Sequence, residues 1–192
     1  MRIKLGVCIS GQGTNLRNLV ERGFAVVAVA TNRPSCGGAA YARQRALPLA
    51  ELSQKMFPSV EDRDAAMRDF FVDNGVQLVV DAGYDRVHSA NFVTAFTGRI
   101  INVHPSLLPA FAGGMDAIEQ ALSAGVSRTG VTVHVVTGDL DAGPILVQEP
   151  VPVLRDDTIE SLRRRVHDAE YRILPAAIKM MEARLANRSA VG

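Results

Sequence analysis

Short apolar runs rich in β-branched residues alternate along this 192-residue chain with stretches of helical periodicity, and no other feature restricts its folding as much. Alternation of this kind marks successive βαβ units, in which strands form a largely parallel sheet and helices cover it. Ile3–Ser10 reads as a strand and Thr14–Arg22 as a helix, joined by the turn Gly11-Gln12-Gly13. Phe24–Thr31 is a second strand, Ala39–Ala46 a helix beyond the break at Asn32-Arg33-Pro34, and Leu47–Leu52 a brief extended piece. Glu61–Asn74 sets Ala65, Met67, Phe70, Phe71 and Val72 among charges and stops at Gly75, as a helix with one buried face does. Val76–Gly83 and Arg99–Val103 are apolar strands expected at the sheet centre, with a short helix, Ala90–Phe96, between them.

Asp116–Ala124 reads as a helix, with Asp116 placed to cap or favour its first turn. Thr129–Thr137 and Pro144–Val153 are strands joined by six residues, too few for a helical crossover, so they pair antiparallel. Asp156–Leu185 is a long helical pattern in which Pro175 predicts a kink or a new start. The expected fold class is α/β: a single-domain, Rossmann-like open twisted mixed sheet, mostly parallel with an antiparallel carboxyl-terminal hairpin, and helices on both faces. We place the domain at 1–186, with halves of about 1–98 and 99–186, and a tail at 187–192.

A net charge of +1 supplies no broad positive field, so extended nucleic-acid binding is not expected. Apolar runs such as Phe24–Ala30 fall far short of the ~20 residues a membrane helix needs. The amino end enters a strand directly, without a basic, apolar and cleavable leader, and the expected compartment is the cytoplasm. Cys8 and Cys36 have neither metal-ligand spacing nor a disulfide framework around them and read as free thiols.

Two stretches carry chemistry. Gly11-Gln12-Gly13, between a strand and a helix, presents free backbone N–H groups where an anion such as phosphate binds, or it is simply a tight turn. Leu16 stands where a dinucleotide fingerprint has its third glycine, and Thr31-Asn32-Arg33 lacks the ribose-binding acid, so NAD is disfavoured. Arg33 keeps an NADP oxidoreductase as an alternative. The second stretch, Ile100-Ile101-Asn102-Val103-His104-Pro105-Ser106-Leu107-Leu108-Pro109, is an apolar strand that ends by offering an amide and an imidazole two residues apart. Side chains at i and i+2 leave a strand on one face, here at the carboxyl end where open α/β sheets bind ligands. Pro105 biases His104 toward extended backbone. An amide donor beside an acid–base imidazole suits acyl transfer, in which a carbonyl oxygen gathers negative charge as an amine attacks its carbon. A lone histidine is more often structural; this one has Asn102 beside it.

Together with Thr129-Gly130-Val131-Thr132-Val133-His134 and Asp139-Leu140-Asp141-Ala142-Gly143-Pro144, this segment resembles the folate-dependent formyltransferase family, in order and in spacing, from about Arg2 to Leu185. The opening Ser10-Gly11-Gln12-Gly13-Thr14-Asn15-Leu16 is most like members whose acceptor is 5-phosphoribosylglycinamide (GAR). The resemblance implies transfer of a formyl group from 10-formyltetrahydrofolate to the GAR amine, with no metal, by a monomer or homodimer acting on small molecules in purine biosynthesis. It implies Asn102 as oxyanion donor, His104 as general acid–base and Asp141 as the acid that orients or charges the histidine. It assigns Gly13, Thr14 and Asn15 to the GAR phosphate, with Glu170 and His167 at the other end of GAR. Arg63 and Arg86 are assigned to the folate glutamate carboxylates. Asp85, Arg86, Val87 and His88, with Val136, Thr137, Gly138, Leu140 and Asn102, are assigned to the folate. His134 and Ser106 are assigned supporting places beside the catalytic residues.

Acids at Asp81 and Asp85 depart from the family, which commonly has leucine and methionine there. An unpaired buried carboxylate is costly, so Asp81 is expected at the strand's end, solvated or paired with an amide or a base. Rival readings are a formyltransferase on another small amine, the NADP oxidoreductase, and a catalytically inert nucleotide-binding module.

Overall fold

The computed structural model describes residues 2–114 and 116–189. Among them the elements run β1 (Lys4–Ile9), α1 (Thr14–Glu21), β2 (Ala25–Thr31), α2 (Gly37–Gln44), β3 (Leu49–Glu51), a 3-10 turn (Gln54–Met56), α3 (Val60–Asp73), β4 (Leu78–Asp81), α4 (Ala90–Ala95), β5 (Ile100–His104), α5 (Ala117–Ser123), β6 (Arg128–Val135), β7 (Ile145–Pro152) and α6 (Ile159–Ser189). The strands hydrogen-bond in the order β3-β2-β1-β4-β5-β6-β7. β1 runs parallel to β2 and β4, and β2 parallel to β3, while β6 and β7 are antiparallel, as the short link between them requires. The chain divides at Ile101/Asn102 into two compact units.

In the first unit all four residues of β4 are buried and β1 is buried from Leu5 onward, the pattern of parallel strands covered on both faces. Phe71 of α3 meets Phe92 and Phe96 of α4, with ring centroids 6.3 Å apart in each case. Both helices begin at a serine whose hydroxyl accepts a backbone N–H, Ser59 from Asp62 and Ser89 from Phe92, which satisfies one otherwise orphaned donor at each start. In the second unit Leu162, Val166, Ala169, Ile173, Ala177 and Met181 form a fully or nearly fully buried stripe along α6.

Three expectations need correction. Of the two readings of Pro175, a kink or a new start, the new start is excluded, because α6 runs through it as one element. Buried residues on both sides of the proline, Ile173 and Leu174 before it and Ala177 and Ile178 after it, offset a defect of ~3 kcal/mol. Asp116 stands at the start of α5 but makes no capping bond, its carboxylate accepting instead from Gln120 Nε2 at 2.8 Å. Where a tail was expected from 187, the helix continues to Ser189; residues 190–192 lie outside the described residues. Among the described residues no helix is long and apolar enough to cross a membrane.

Phe71 is fully buried at the centre of its aromatic group. Phe71→Ala is expected to destabilise the protein by ~3–5 kcal/mol, read as a lowered midpoint in urea at unchanged slope.

Candidate active site

The hairpin of the second unit carries the acid. Between β6 and β7 the chain turns through Asp141, which adopts φ +52, a left-handed conformation that a non-glycine residue takes only where its surroundings fix it. Two residues on, a Cβ built at Gly143 would lie 1.8 Å from the Val135 carbonyl oxygen, so the hairpin closes only because no side chain is present there. The result aims the Asp141 carboxylate between two histidines. Its Oδ2 lies 3.6 Å from His104 Nδ1 and its Oδ1 3.5 Å from His134 Nε2, while Oδ2 also accepts the Gly113 N–H at 2.8 Å. The carboxyl side chain is only 7% exposed.

His104, on β5, falls beside this carboxylate, and Asn102 on the same strand reaches it through His134. His134 Nδ1 lies 3.1 Å from the Val135 carbonyl and donates to it, which leaves Nε2 as the acceptor facing Asn102. Asn102 Nδ2 donates to that nitrogen at 3.2 Å. One amide hydrogen is thereby committed and the amide plane is fixed, leaving the second hydrogen for a ligand oxygen. His104 Nε2 lies 3.1 Å from the Phe111 carbonyl and donates to it, leaving Nδ1 as the basic nitrogen facing Asp141. A proton gained at Nδ1 would be held by the carboxylate across 3.6 Å, a charge pair too long for a hydrogen bond without further closing.

The Asp141 carboxyl is held below the ordinary aspartate range first by the neighbouring His134 ring, against the opposing effect of burial, and further by the Gly113 amide and the nearby His104. A depressed native value means that its contribution to stability is complete above the ordinary aspartate range and is lost as pH falls through the native value.

The segment after His104 is fixed by neighbouring strands. Thr132 on β6 and Gln148 on β7 face each other in register. Thr132 Oγ1 donates to the Ser106 carbonyl at 2.7 Å and accepts the Leu108 N–H at 3.0 Å, and Gln148 Nε2 bonds both Thr132 Oγ1 and the Leu108 carbonyl. Ser106, wholly buried, donates to the Ala110 carbonyl at 2.5 Å. Its place is therefore structural support of this loop. Thr132 and Gln148 escaped the sequence reading, because a threonine and a glutamine on alternating strands look like any half-buried pair.

Of the other residues assigned in this unit, Val136 and Thr137 are half-buried, whereas Gly138 and Leu140 are exposed in the hairpin loop. His167 and Glu170 lie one helical turn apart on α6 and so share a face, His167 half-buried and Glu170 buried. Burial, with Arg163 nearby, lowers the His167 pKa and keeps the ring neutral at neutral pH.

In the first unit Gly13 stands at the start of α1 with φ +70, and a Cβ there would come within 2.4 Å of Gly38 Cα. The start of α1 carries no side-chain cap and no acid in its first turn, which leaves its N–H groups and dipole available to an anion. Thr14 opens the helix and Asn15 is buried in its first turn.

The folate assignments of this unit divide. Arg86 and Val87 are exposed. Asp85 is inside a polar cluster: it accepts from Ser10 Oγ at 3.0 Å and Asn32 Nδ2 at 2.7 Å, pairs with Arg33, and lies 3.5 Å from Arg86 Nε. Arg33, on which the NADP alternative rested, is thus engaged by a carboxylate. Arg63, expected at glutamate carboxylates, is 1% exposed, its guanidinium spent on Asp64, Gln54 and the Val87 carbonyl. His88, expected as a pocket wall, turns inward with its ring between Tyr84 and Phe92, at centroid distances of 5.2 and 4.5 Å. Its Nε2 is 3.0 Å from each oxygen of Asp81, the buried last residue of β4, which gives that acid the basic partner it needs. Burial works against protonation of His88, but the charge of Asp81 and its hydrogen bond outweigh it and raise the pKa.

Residues 3–178 match the formyl transferase family, and the chain belongs to it. It is 36% identical over 182 residues to the phosphoribosylglycinamide formyltransferase of Haemophilus influenzae, covering 92% of this chain and 85% of that protein. A protein of the same name from Mycobacterium tuberculosis is 39% identical over 180 residues, covering 91% and 83%. The trifunctional purine biosynthetic protein adenosine-3 of Gallus gallus is 39% identical over 186 residues, 94% of this chain, which spans 18% of that larger protein's length. The crystal structure of phosphoribosylglycinamide formyltransferase from Streptococcus pneumoniae superposes with a TM-score of 0.90 at 35% identity, covering 94% of this chain and 99% of that one.

Because the hairpin aims Asp141, Gly143→Ala is expected to disturb the site before it disturbs the fold. NMR titration should show the His104 and His134 signals shifted while the thermal midpoint falls by only a few degrees. Asp141→Asn is expected to flatten the acid limb of the stability–pH curve and leave the neutral region nearly level. A limb unchanged in Asp141→Asn would show that the carboxylate carries no such linkage.

Proposed function

We propose that this chain transfers the formyl group of 10-formyltetrahydrofolate to the amine of GAR, giving formyl-GAR and tetrahydrofolate in purine biosynthesis, as a cytoplasmic enzyme of small-molecule substrates. The observation that carries the reading is the linkage of Asn102, His104 and Asp141, the imidazole facing the carboxylate directly and the amide through His134, in a family whose chemistry is formyl transfer. The GAR amine attacks the formyl carbon, forming a C–N bond and moving the carbonyl electron pair onto oxygen. Asn102 donates its free N–H to that oxygen. His104 Nδ1 takes the proton lost by the amine, and Asp141 stabilises the resulting imidazolium. Collapse re-forms the carbonyl, breaks the bond to folate N10 and returns a proton to that nitrogen, so atoms and charge balance with no metal taking part.

Two further features support the acceptor. The amino end of α1 is open to a phosphate, and relatives covering most of their own length carry the GAR enzyme's name. Arg86 is the cation we assign to the folate glutamate, since Arg63 is enclosed.

The reading is tested by turnover with GAR and 10-formyltetrahydrofolate. Asn102→Ala is expected to lower kcat by ~10²–10³ and His104→Ala by ~10²–10⁴, with Asp141→Asn comparable to the latter. Turnover unchanged in all three variants would exclude the mechanism. Arg86→Ala is expected to raise KM for a glutamylated folate with little change in kcat, whereas Arg63→Ala should act through a lowered melting temperature; reversal of these two outcomes would return the glutamate to Arg63.

A further inference from the structure

Cys8, Asp81 and His88 form a second cluster of ionisable groups, confined to the first unit and unused by formyl transfer. Cys8 and Asp81 are direct partners in the parallel register of β1 and β4, so their side chains leave the sheet together on one face. The segment after β4 brings His88 back onto the same spot, and the rings of Tyr84 and Phe92 fix the imidazole plane. All three residues are buried, and their ligand-type atoms lie within 4.8 Å of one another. Met67 Sδ lies 3.8 Å from Cys8 Sγ, adding a thioether to the thiol, carboxylate and imidazole.

We propose that Cys8, Asp81 and His88 bind a borderline divalent transition ion, Zn²⁺ in the first instance, as a structural site. Four-coordinate zinc with bonds of about 2.0–2.3 Å holds its ligand atoms roughly 3–4 Å apart, so the cluster closes on an ion by shifts smaller than one bond length. Charge also balances. A thiolate and a carboxylate neutralise the ion and a neutral imidazole completes the set, while the neighbouring Arg63 is already neutralised by Asp64 at 2.6 Å. The donor set of sulfur, nitrogen and one carboxylate excludes magnesium and calcium, which take oxygen ligands. Met67 Sδ, 3.8 Å from the thiol, is the neighbouring soft donor. The spacing of Cys8, Asp81 and His88 in sequence resembles no metal motif; only the strand register and the return of the loop assemble the three. The alternative is an Asp81–His88 ion pair with the thiol as a spectator.

Expression of the full chain in cobalt-supplemented minimal medium separates the two. The site predicts about one equivalent of bound metal, tetrahedral cobalt bands in the visible and a thiolate-to-cobalt charge-transfer band in the near ultraviolet. The chain has two cysteines, so a charge-transfer band retained in Cys36→Ser arises from Cys8, and this arm decides the matter even if Cys8→Ser fails to fold. Where Cys8→Ser folds, the band should vanish. Absence of the band in the wild-type chain, or its loss in Cys36→Ser, overturns the proposal in favour of the ion pair. The readout is metal content and absorption, so it stands or falls separately from the formyltransferase assay.

Discussion

The candidate site depends on one carboxylate held between two imidazoles. Asp141 lies against both His104 and His134, and His134 in turn orients the Asn102 amide, so in the proposed mechanism its position sets the geometry of proton transfer and oxyanion stabilisation together. Neither β5 nor β6 could do this. Each presents a fixed side chain from a rigid strand, and the hairpin brings the third group to them by a backbone conformation that is costly on its own. Contact with the Gly113 amide and the two rings is what holds that conformation in place.

Most of the architecture was legible because its signals are periodic. The alternation of strand and helix patterns led to the mixed sheet, and the six-residue link between the last two strands led to their antiparallel pairing. Asn102 and His104 could be placed side by side because i and i+2 on a strand share a face whatever packs around it. Asp141 came from resemblance alone, since nothing in its local sequence says which distant strand a hairpin loop will reach.

The failures have a common cause in tertiary context. A sequence marks Arg63 as a cation, and charges belong on surfaces by default, yet Asp64 beside it and Gln54 from the 3-10 turn make a buried niche that local pattern does not announce. Pro175 breaks helices in isolation, and the apolar stripe that carries α6 past it is a property of packing. Asp81 was expected at its strand's end with a solvating or pairing group and has one; that His88 would be the base was not legible, because a loop return and not a local pattern brings it there. The acid at Asp85 likewise became intelligible only with Ser10, Asn32 and Arg33 around it.

The tether of the loop after His104 has an evolutionary consequence. Thr132 and Gln148 bind main-chain atoms of residues 106 and 108, so the loop is held in large part by two side chains outside it. Change is therefore expensive at the tether. A hydroxyl serving three partners cannot be replaced without orphaning two backbone groups, and among descendants of this chain positions 132 and 148 should change together or not at all.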